Sequence, residues 1–332
     1  MNLGTLLHQY SKGELSIDEL QRRISVHSVE QVANNVAQLD INREIRKEIP
    51  EVIFAKGKEY ADLLKITRAA VRRNGTVLVS KVQSEELLIR LCRELKKVKL
   101  QVEVGKKSTT MLVSIKSRGP SSNGSSTSST ALILRGKIGI LAAGTSDIGI
   151  AEEARLMAKA MGCAAVASYD VGIAGIHRLF PALREMISQQ VGAIVVVAGM
   201  EGALASVVTS MVNVPVVGVP TSVGYGFGSD GIAALASMLQ SCTPGLSVVN
   251  IDNGIGAGAF AALISNQLAR TTTAAAVVAV ARGTGRKREK RMARRRIYQQ
   301  QYQKQQNERL RRSSTTTRRR QSPQKTSRKA KK

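Results

Sequence analysis

From Gly136 onward the chain alternates five times between a short apolar run and a longer amphipathic one. The apolar runs are "KIGILAAG", "AAVASYDV", "GAIVVVAG", "PVVGVPTS" and "LSVVNID". Short runs without polar interruption fit strands buried on both faces. The runs between them, such as "SDIGIAEEARLMAKAMG" and "SDGIAALASMLQS", read as helices. Strict alternation of this kind leaves one fold class open: α/β, with right-handed crossovers and helices on both faces of a parallel sheet. Ligands of such sheets bind beyond the carboxyl ends of the strands. That edge gathers "AAGTSD", "GIAGIHR", "AGMEGAL", "VPTSVGYGFGSDG" and "NIDNGIGAG".

The rest of the chain is organised differently. In residues 1–117, "SIDELQRRI" opens like a helix, with Ser16 as cap and Glu19 three residues later. "IPEVIFAKGKEYADLLKITRAAV" reads as a strand then a helix, and "TVLVSKV" and "QVEVGKKSTTMLVSI" as further strands, giving a small α+β domain. Residues 118–135 include "RGPSSNGSSTSST", a linker or long loop by composition. The catalytic domain is expected over 136–270, and a helix extension with a basic tail over 271–332. From Arg282 the tail has too few apolar residues to offset ordering entropy, so it is expected to be disordered.

Composition sharpens this only after it is divided. The formal charge is +26, but Arg282–Lys332 holds 21 basic and 2 acidic residues, while 136–281 holds 6 and 8. The pI therefore says little about the body. A tail of this kind could bind nucleic acid without sequence preference. It lacks interleaved aromatics beyond Tyr298 and Tyr302, and the plain reading is a solvated segment. No run approaches the ~18 apolar residues of a membrane span, and "MNLGTLLHQYSKGEL" does not resemble a signal peptide. Three cysteines without a CxxC pattern suggest reduced thiols and a cytoplasmic location.

Several motifs carry candidate chemistry. Gly144, Thr145, Ser146 and Asp147 form a small-residue turn between a strand and a helix. It reads either as an anion cradle or as an ordinary cap by Ser146 or Asp147. His177, the body's one histidine, stands beside Arg178 after a strand end. Glu201 opens an apolar helix among Gly, Met and Ala. It is either a first-turn carboxylate favoured by the helix dipole or a poorly solvated general base. "VGYGFGSDG" is either a flap over a planar ligand or a loop needing positive φ angles. Cys242 lies at a junction, after an apolar helix and before an apolar strand, with Thr-Pro-Gly following. A buried inert thiol is its plain alternative, since free cysteine is among the most buried residue types.

Taken jointly, "GILAAGTSDIGIAEEA", "YDVGIAGIHRL", "VVAGMEGALASVV", "VPVVGVPTSVGYG" and "SCTPGLSVVNIDNGIGAG" closely resemble the LarB family of nickel-pincer nucleotide cofactor biosynthesis. More distantly they resemble the PurE family of aminoimidazole ribonucleotide carboxylases. "LDINREIRKEIPEVIFAKGK" also resembles the LarB N-terminal region, so the likeness spans most of 1–270. The basic tail is outside it. The resemblance implies a flavodoxin-like, PurE-like three-layer αβα domain. It implies carboxylation of the pyridinium ring of nicotinic acid adenine dinucleotide at C5, and hydrolysis of the phosphoanhydride. Pyridinium-3,5-biscarboxylic acid mononucleotide and AMP result. Bicarbonate or carbon dioxide is then co-substrate, with no ATP and no biotin.

By the same resemblance Cys242 is the nucleophile and Glu201 the base. Thr145, Ser146, Asp147, His177 and Arg178 match nucleotide-holding positions. Gly144, Gly199, Asp252 and Asn253, on the same edge, join them as substrate contacts. The pyridinium C5 is electron-poor, and a thiolate adding at C4 makes it nucleophilic. Cys242 follows a helix C-terminus, where the dipole disfavours a thiolate, so activation falls to the cationic ring or a neighbouring base. Magnesium is implied for anhydride hydrolysis, with Asp147, Asp230 and Asp252 available and Asp230 taken as the metal candidate. A homo-oligomer of eight chains is implied as well. The purine enzyme remains the alternative, although it has no use for a nucleophilic thiol.

Overall fold

The computed structural model describes residues 3–25, 29–32, 37–40, 43, 47–115 and 136–272. The stretch read as a linker and the tail from 282 lie outside the described residues. Helices α1 (Leu3–Ser11) and α2 (Ile17–Ser25) lead into the antiparallel pair β1 (Val29–Val32) and β2 (Ala37–Asp40). Ser16 Oγ accepts from the Glu19 N–H at 3.2 Å, as the cap pattern predicts. A four-stranded mixed sheet follows, built from β3 (Val52–Phe54), β4 (Thr76–Ser80), β5 (Leu100–Val104) and β6 (Met111–Ile115) in the order β3-β4-β6-β5. Helices α3 (Tyr60–Asn74) and α4 (Glu85–Lys97) pack on it through Leu63, Ile66, Leu88, Leu91 and Leu95.

The alternating body forms one parallel sheet of β7 (Lys137–Ala142), β8 (Ala164–Ser168), β9 (Ala193–Ala198), β10 (Val216–Pro220) and β11 (Leu246–Val248). The spatial order is β11-β10-β9-β7-β8, so the winding reverses between β7 and β9. Both faces are covered, as the apolar runs require. Ile138, Ile140, Val195, Val197, Val217 and Val219 meet α5 (Ile148–Ala160) and α9 (254–272). Leu141, Ile194, Val196 and Val216 meet α6 (Leu179–Ser188), α7 (Ala203–Met211) and α8 (Ile232–Leu239). Alternate residues of each strand serve opposite faces, as the pleat demands.

Helix α5 belongs to both sheets. Its Ala151, Ala154 and Ala158 face the parallel sheet, while Leu156 and Met157 pack with Leu78 and Leu112 of the mixed sheet. The described residues up to Thr271 accordingly make one compact unit. This double burial forces Glu152 and Glu153 inside, at 1% and 2% exposure. Glu152 accepts from the Lys106 N–H at 3.0 Å, from Arg155 at 2.8 Å and from the Tyr169 hydroxyl. Glu153 accepts from the Thr110 hydroxyl at 3.1 Å and pairs with Lys81, also at 3.1 Å. Burial pushes the Glu153 carboxyl up, while Lys81 and Thr110 pull it down.

A raised folded-state carboxyl takes up protons more readily than the unfolded one, so its contribution to stability falls as pH rises through the carboxylate range. Lys81 offsets that loss. Lys81→Met is expected to cost about 2–4 kcal/mol near neutral pH, somewhat less than breaking a fully buried pair because Lys81 is about one-third exposed. The cost should shrink in acid, as Glu153 protonates. Urea unfolding at neutral and acid pH checks this, and an equal midpoint shift at both would contradict it.

Candidate active site

Five turns meet at the carboxyl edge of the parallel sheet, and the reversal between β7 and β9 opens a crevice there. At its centre is Asp147, only 4% exposed. One carboxylate oxygen accepts from the Gly144 N–H at 2.8 Å and the other from the Thr221 hydroxyl at 2.7 Å. Burial pushes this carboxyl up, against the hydrogen bonds from Thr221, Gly144 and Gly199. Asp147 therefore ties the ends of β7, β9 and β10 together. It stands at the N-cap of α5 yet makes no side-chain bond to that helix, so a cap by Asp147 does not hold. The Gly144 N–H is likewise taken by Asp147. Gly199 is required sterically: a Cβ there would lie 2.2 Å from the Val223 carbonyl oxygen.

Thr145 and Ser146 are exposed on this turn. The Lys107 ammonium lies 3.3 Å from the Thr145 carbonyl oxygen, reaching in from the tip of the β5–β6 hairpin. The neighbouring Lys106 ammonium stands 6.0 Å from the Tyr169 ring centroid. His177 and Arg178 are exposed at the end of a short 3₁₀ segment, Ile173–Arg178, and Arg178 is held by Asp170. Asp252 adopts a positive φ of 54° and accepts from the Ser222 N–H at 2.9 Å. Asn253 Oδ1 accepts from the Gly256 N–H at 2.9 Å, at the start of α9. Both hold the edge in shape. The loop after β10 projects Tyr225 and Phe227 into solvent and carries positive φ angles at Gly226, Asp230 and Gly231.

The two proposed catalytic residues are placed differently from expectation. Glu201 is exposed in the single chain, in the turn before α7, so the poorly solvated setting inferred from its Gly, Met and Ala neighbours is not formed there. Cys242 is exposed too, which removes the buried-thiol alternative. The buried thiol is Cys163, donating to the Gly136 carbonyl at 3.0 Å and pushed up to about 12 by burial. Cys242 is also absent from the carboxyl edge. It precedes β11, and the adjoining Gly245 carbonyl accepts from the Val216 N–H at the opposite, amino edge of the sheet. The chain thus gathers the nucleotide-type residues at one edge and leaves Cys242 at the other.

Among the described residues, no three His, Cys, Asp or Glu side chains come together to hold a metal ion. Asp147 and Asp252 already accept internal hydrogen bonds, and Asp230 is exposed on its loop. These residues do not fit a magnesium site in this chain. Among the described residues, no helix is long and apolar enough to cross a membrane. Sequence reasoning passed over Thr221, Lys81 and Lys107. Only Lys107 had a local signal, the "GKKS" between two strand-like runs.

Comparison with known proteins places this arrangement. Residues 137–289 match the AIR carboxylase family, and residues 29–113 match the LarB/PurE-like N-terminal domain. An uncharacterized protein of Methanocaldococcus jannaschii is 45% identical over 264 residues, covering 80% of this chain and 97% of that one. The N5-carboxyaminoimidazole ribonucleotide mutase of the same organism is 30% identical over 130 residues, covering 39% of this chain and 76% of the mutase. The chain belongs to the LarB family within the PurE/AIR carboxylase-like superfamily, and its function is of the carboxylase type.

Asp147→Asn tests the tie at the crevice. The amide would turn an NH₂ toward N–H or O–H donors that now face carboxylate oxygens. Leaving such groups unpaired costs about 1–3 kcal/mol, a fall in melting temperature of roughly 2–10 °C for a body of this size. Calorimetry showing no shift would remove the structural role assigned to Asp147.

Proposed function

We propose that the chain carboxylates the pyridinium ring of nicotinic acid adenine dinucleotide at C5 and hydrolyses the phosphoanhydride, giving pyridinium-3,5-biscarboxylic acid mononucleotide and AMP. The observation that carries this reading is the joint match of the AIR carboxylase domain and the LarB/PurE-like N-terminal domain in one chain that also bears the free, exposed Cys242. The Cys242 thiolate adds at C4, forming a C–S bond and moving a ring electron pair onto nitrogen. The enamine carbon C5 then attacks carbon dioxide. Glu201 removes the C5 proton, the electron pair re-forms the ring double bond, and the thiolate leaves C4. One C–H bond is replaced by one C–C bond with no oxidant or reductant. Water cleaves the anhydride.

The charge on the edge supports a phosphate-bearing substrate. Residues 136–281 hold six basic side chains. Of these, Arg155 and Lys159 are paired on α5 and Arg270 pairs with Glu48. Arg178 is the one that stands on the strand-end turns, and it is engaged by Asp170. A diphosphate needs more cation than that. Lys107 beside Thr145 and Lys106 near Tyr169, both from the N-terminal domain, supply it, and this gives that domain a part in substrate binding. Lys107→Met should raise KM for the dinucleotide roughly 10- to 100-fold with kcat nearly unchanged, the loss of a charge-assisted hydrogen bond of about 1.5–3 kcal/mol. Lys107→Arg should restore most of it. An unchanged KM in Lys107→Met would remove the lysine from the site.

The deciding measurement is mass spectrometry of products from nicotinic acid adenine dinucleotide and labelled bicarbonate. Label in the pyridine mononucleotide, with AMP released, is expected. Cys242→Ser, which is nearly isosteric, should keep the fold and lose carboxylation. Glu201→Gln should accumulate the sulfur adduct, seen as added mass on the peptide containing Cys242. Likeness to the mutase favours a second reading, carboxyl transfer on an aminoimidazole ribonucleotide. Label confined to that substrate would establish the second reading against the first, and full carboxylation by Cys242→Ser would overturn the covalent mechanism.

A further inference from the structure

Three non-glycine residues with left-handed backbone are joined by one run of hydrogen bonds. Lys81 follows β4 of the N-terminal domain with a φ of 55°, Asp252 lies in the turn after β11 with 54°, and Met200 precedes Glu201 with 53°. A side chain with a Cβ keeps such a backbone only where its surroundings hold it, and such positions cluster at functional sites. The Lys81 ammonium donates to the Asp252 carbonyl oxygen at 3.3 Å. The Asp252 carboxylate accepts the Ser222 N–H at 2.9 Å, and the Asp252 N–H donates to the Pro220 carbonyl, also at 2.9 Å. One residue on, the Val223 carbonyl accepts the Met200 N–H at 3.0 Å. Glu201 is the next residue. Three hydrogen bonds therefore lead from the N-terminal domain to the turn that carries Glu201.

The far end of this run is firmly held. The backbone on either side of Lys81 is fixed, since the Ser80 carbonyl accepts the Ala55 N–H at 2.8 Å and the Val82 N–H donates to the Thr109 carbonyl at 3.1 Å. The ammonium also pairs with the buried Glu153 at 3.1 Å, which restricts a side chain that would otherwise keep many rotamers. The near end is not held by packing. Met200 and Glu201 are both exposed, so main-chain bonds have to set the attitude of their turn. Pairing with Glu153 would account for a lysine at position 81. It does not account for the bond to Asp252.

Given the cysteine-adduct reaction above, with Glu201 as base, we propose that Lys81 is a positioning residue for proton removal. Acting through Asp252 and residues 222–223, it holds the Glu201 turn in the attitude from which the C5 proton is taken. A base must stand within about 3–3.5 Å of the atom it acts on, and a shift of about 1 Å can cost roughly 100-fold in rate. The N-terminal domain then serves the site in two separate ways. Lys107 acts on binding of the dinucleotide, and Lys81 acts on the chemical step.

Three variants of the full chain separate this role from a purely structural ion pair. Lys81→Met removes both contacts of the ammonium. Glu153→Gln removes the ion pair and leaves Lys81 its bond to Asp252. Asp252→Gly keeps the left-handed backbone and the carbonyl, keeps the Lys81–Glu153 pair, and loses only the carboxylate that holds Ser222. Amide hydrogen exchange of the free protein is read first. Peptides spanning 199–203 should exchange roughly 2- to 10-fold faster in Lys81→Met and Asp252→Gly, the loss of one hydrogen bond, and at the wild-type rate in Glu153→Gln. With nicotinic acid adenine dinucleotide, kcat should fall roughly 10- to 100-fold in the same two variants, and KM of Lys81→Met should stay near that of wild type. A dinucleotide deuterated at C5 should show a larger isotope effect in them than in wild type, because proton removal has become the slow step. Glu153→Gln should keep the wild-type kcat. Unchanged exchange at 199–203 in both variants, or an equal fall of kcat in Glu153→Gln, would overturn the positioning role and leave Lys81 as the partner of Glu153 alone. Exchange needs no substrate, so it decides whether Lys81 holds the turn even if wild type fails to carboxylate the dinucleotide, an outcome that removes the reaction instead.

Discussion

The Glu152–Glu153 pair on α5 governs how the two halves of this protein relate. Two adjacent carboxylates are buried in a helix packed between two sheets. Burying a carboxylate without partners costs several kcal/mol. Neither glutamate finds its full set of partners within the catalytic domain. Glu152 needs the Lys106 N–H, and Glu153 needs Thr110 and Lys81. Docking of the N-terminal domain buries this face of α5, and the same domain supplies the donors that the buried carboxylates then need. The domain is thus part of the body's stability, and its docking in turn brings Lys107 to the Thr145 turn.

The crevice depends on the same logic at smaller scale. Asp147 is kept inside because three donors from three strand ends converge on it. Both of its carboxylate oxygens are engaged in holding the edge. Thr145 and Ser146 are left at the surface by that arrangement, next to Lys107, while Asp252 and Asn253 use their polar atoms on Ser222 and Gly256. The residues free to meet a nucleotide are therefore fewer than the polar content of the strand-end motifs suggests.

Much of this was legible in the residues. The five alternating units place β7–β11 within a residue or two at most ends, because a buried parallel strand admits few sequences other than Val, Ile and Ala runs. The cap at Ser16 was readable for the same local reason. What was not legible depends on partners distant in sequence. "AEEARLMAKA" reads as a helix with a charged face in water, and only donors far earlier in the chain, Lys81, Lys106 and Thr110, make that face an interior one. The Asp147 cap alternative failed because Thr221, 74 residues away, competes for the carboxylate. Helices α1 and α4 and the β1–β2 pair passed unread.

Cys242 is a case where the alternation held more information than its motif. Its position between a helix and a strand fixes the edge on which it lies, whatever its neighbours. The same rule puts Glu201 on the opposite edge. An active site that needs both cannot be closed by local rearrangement, since moving either residue across the sheet would mean unravelling α7 or β11 from a core that is fully buried at Ala205, Val208 and Val216. The uncharged surface of α7 and α8 costs solubility in a lone chain and gains nothing there. On the single chain the thiol and the carboxylate are presented separately, each open to water.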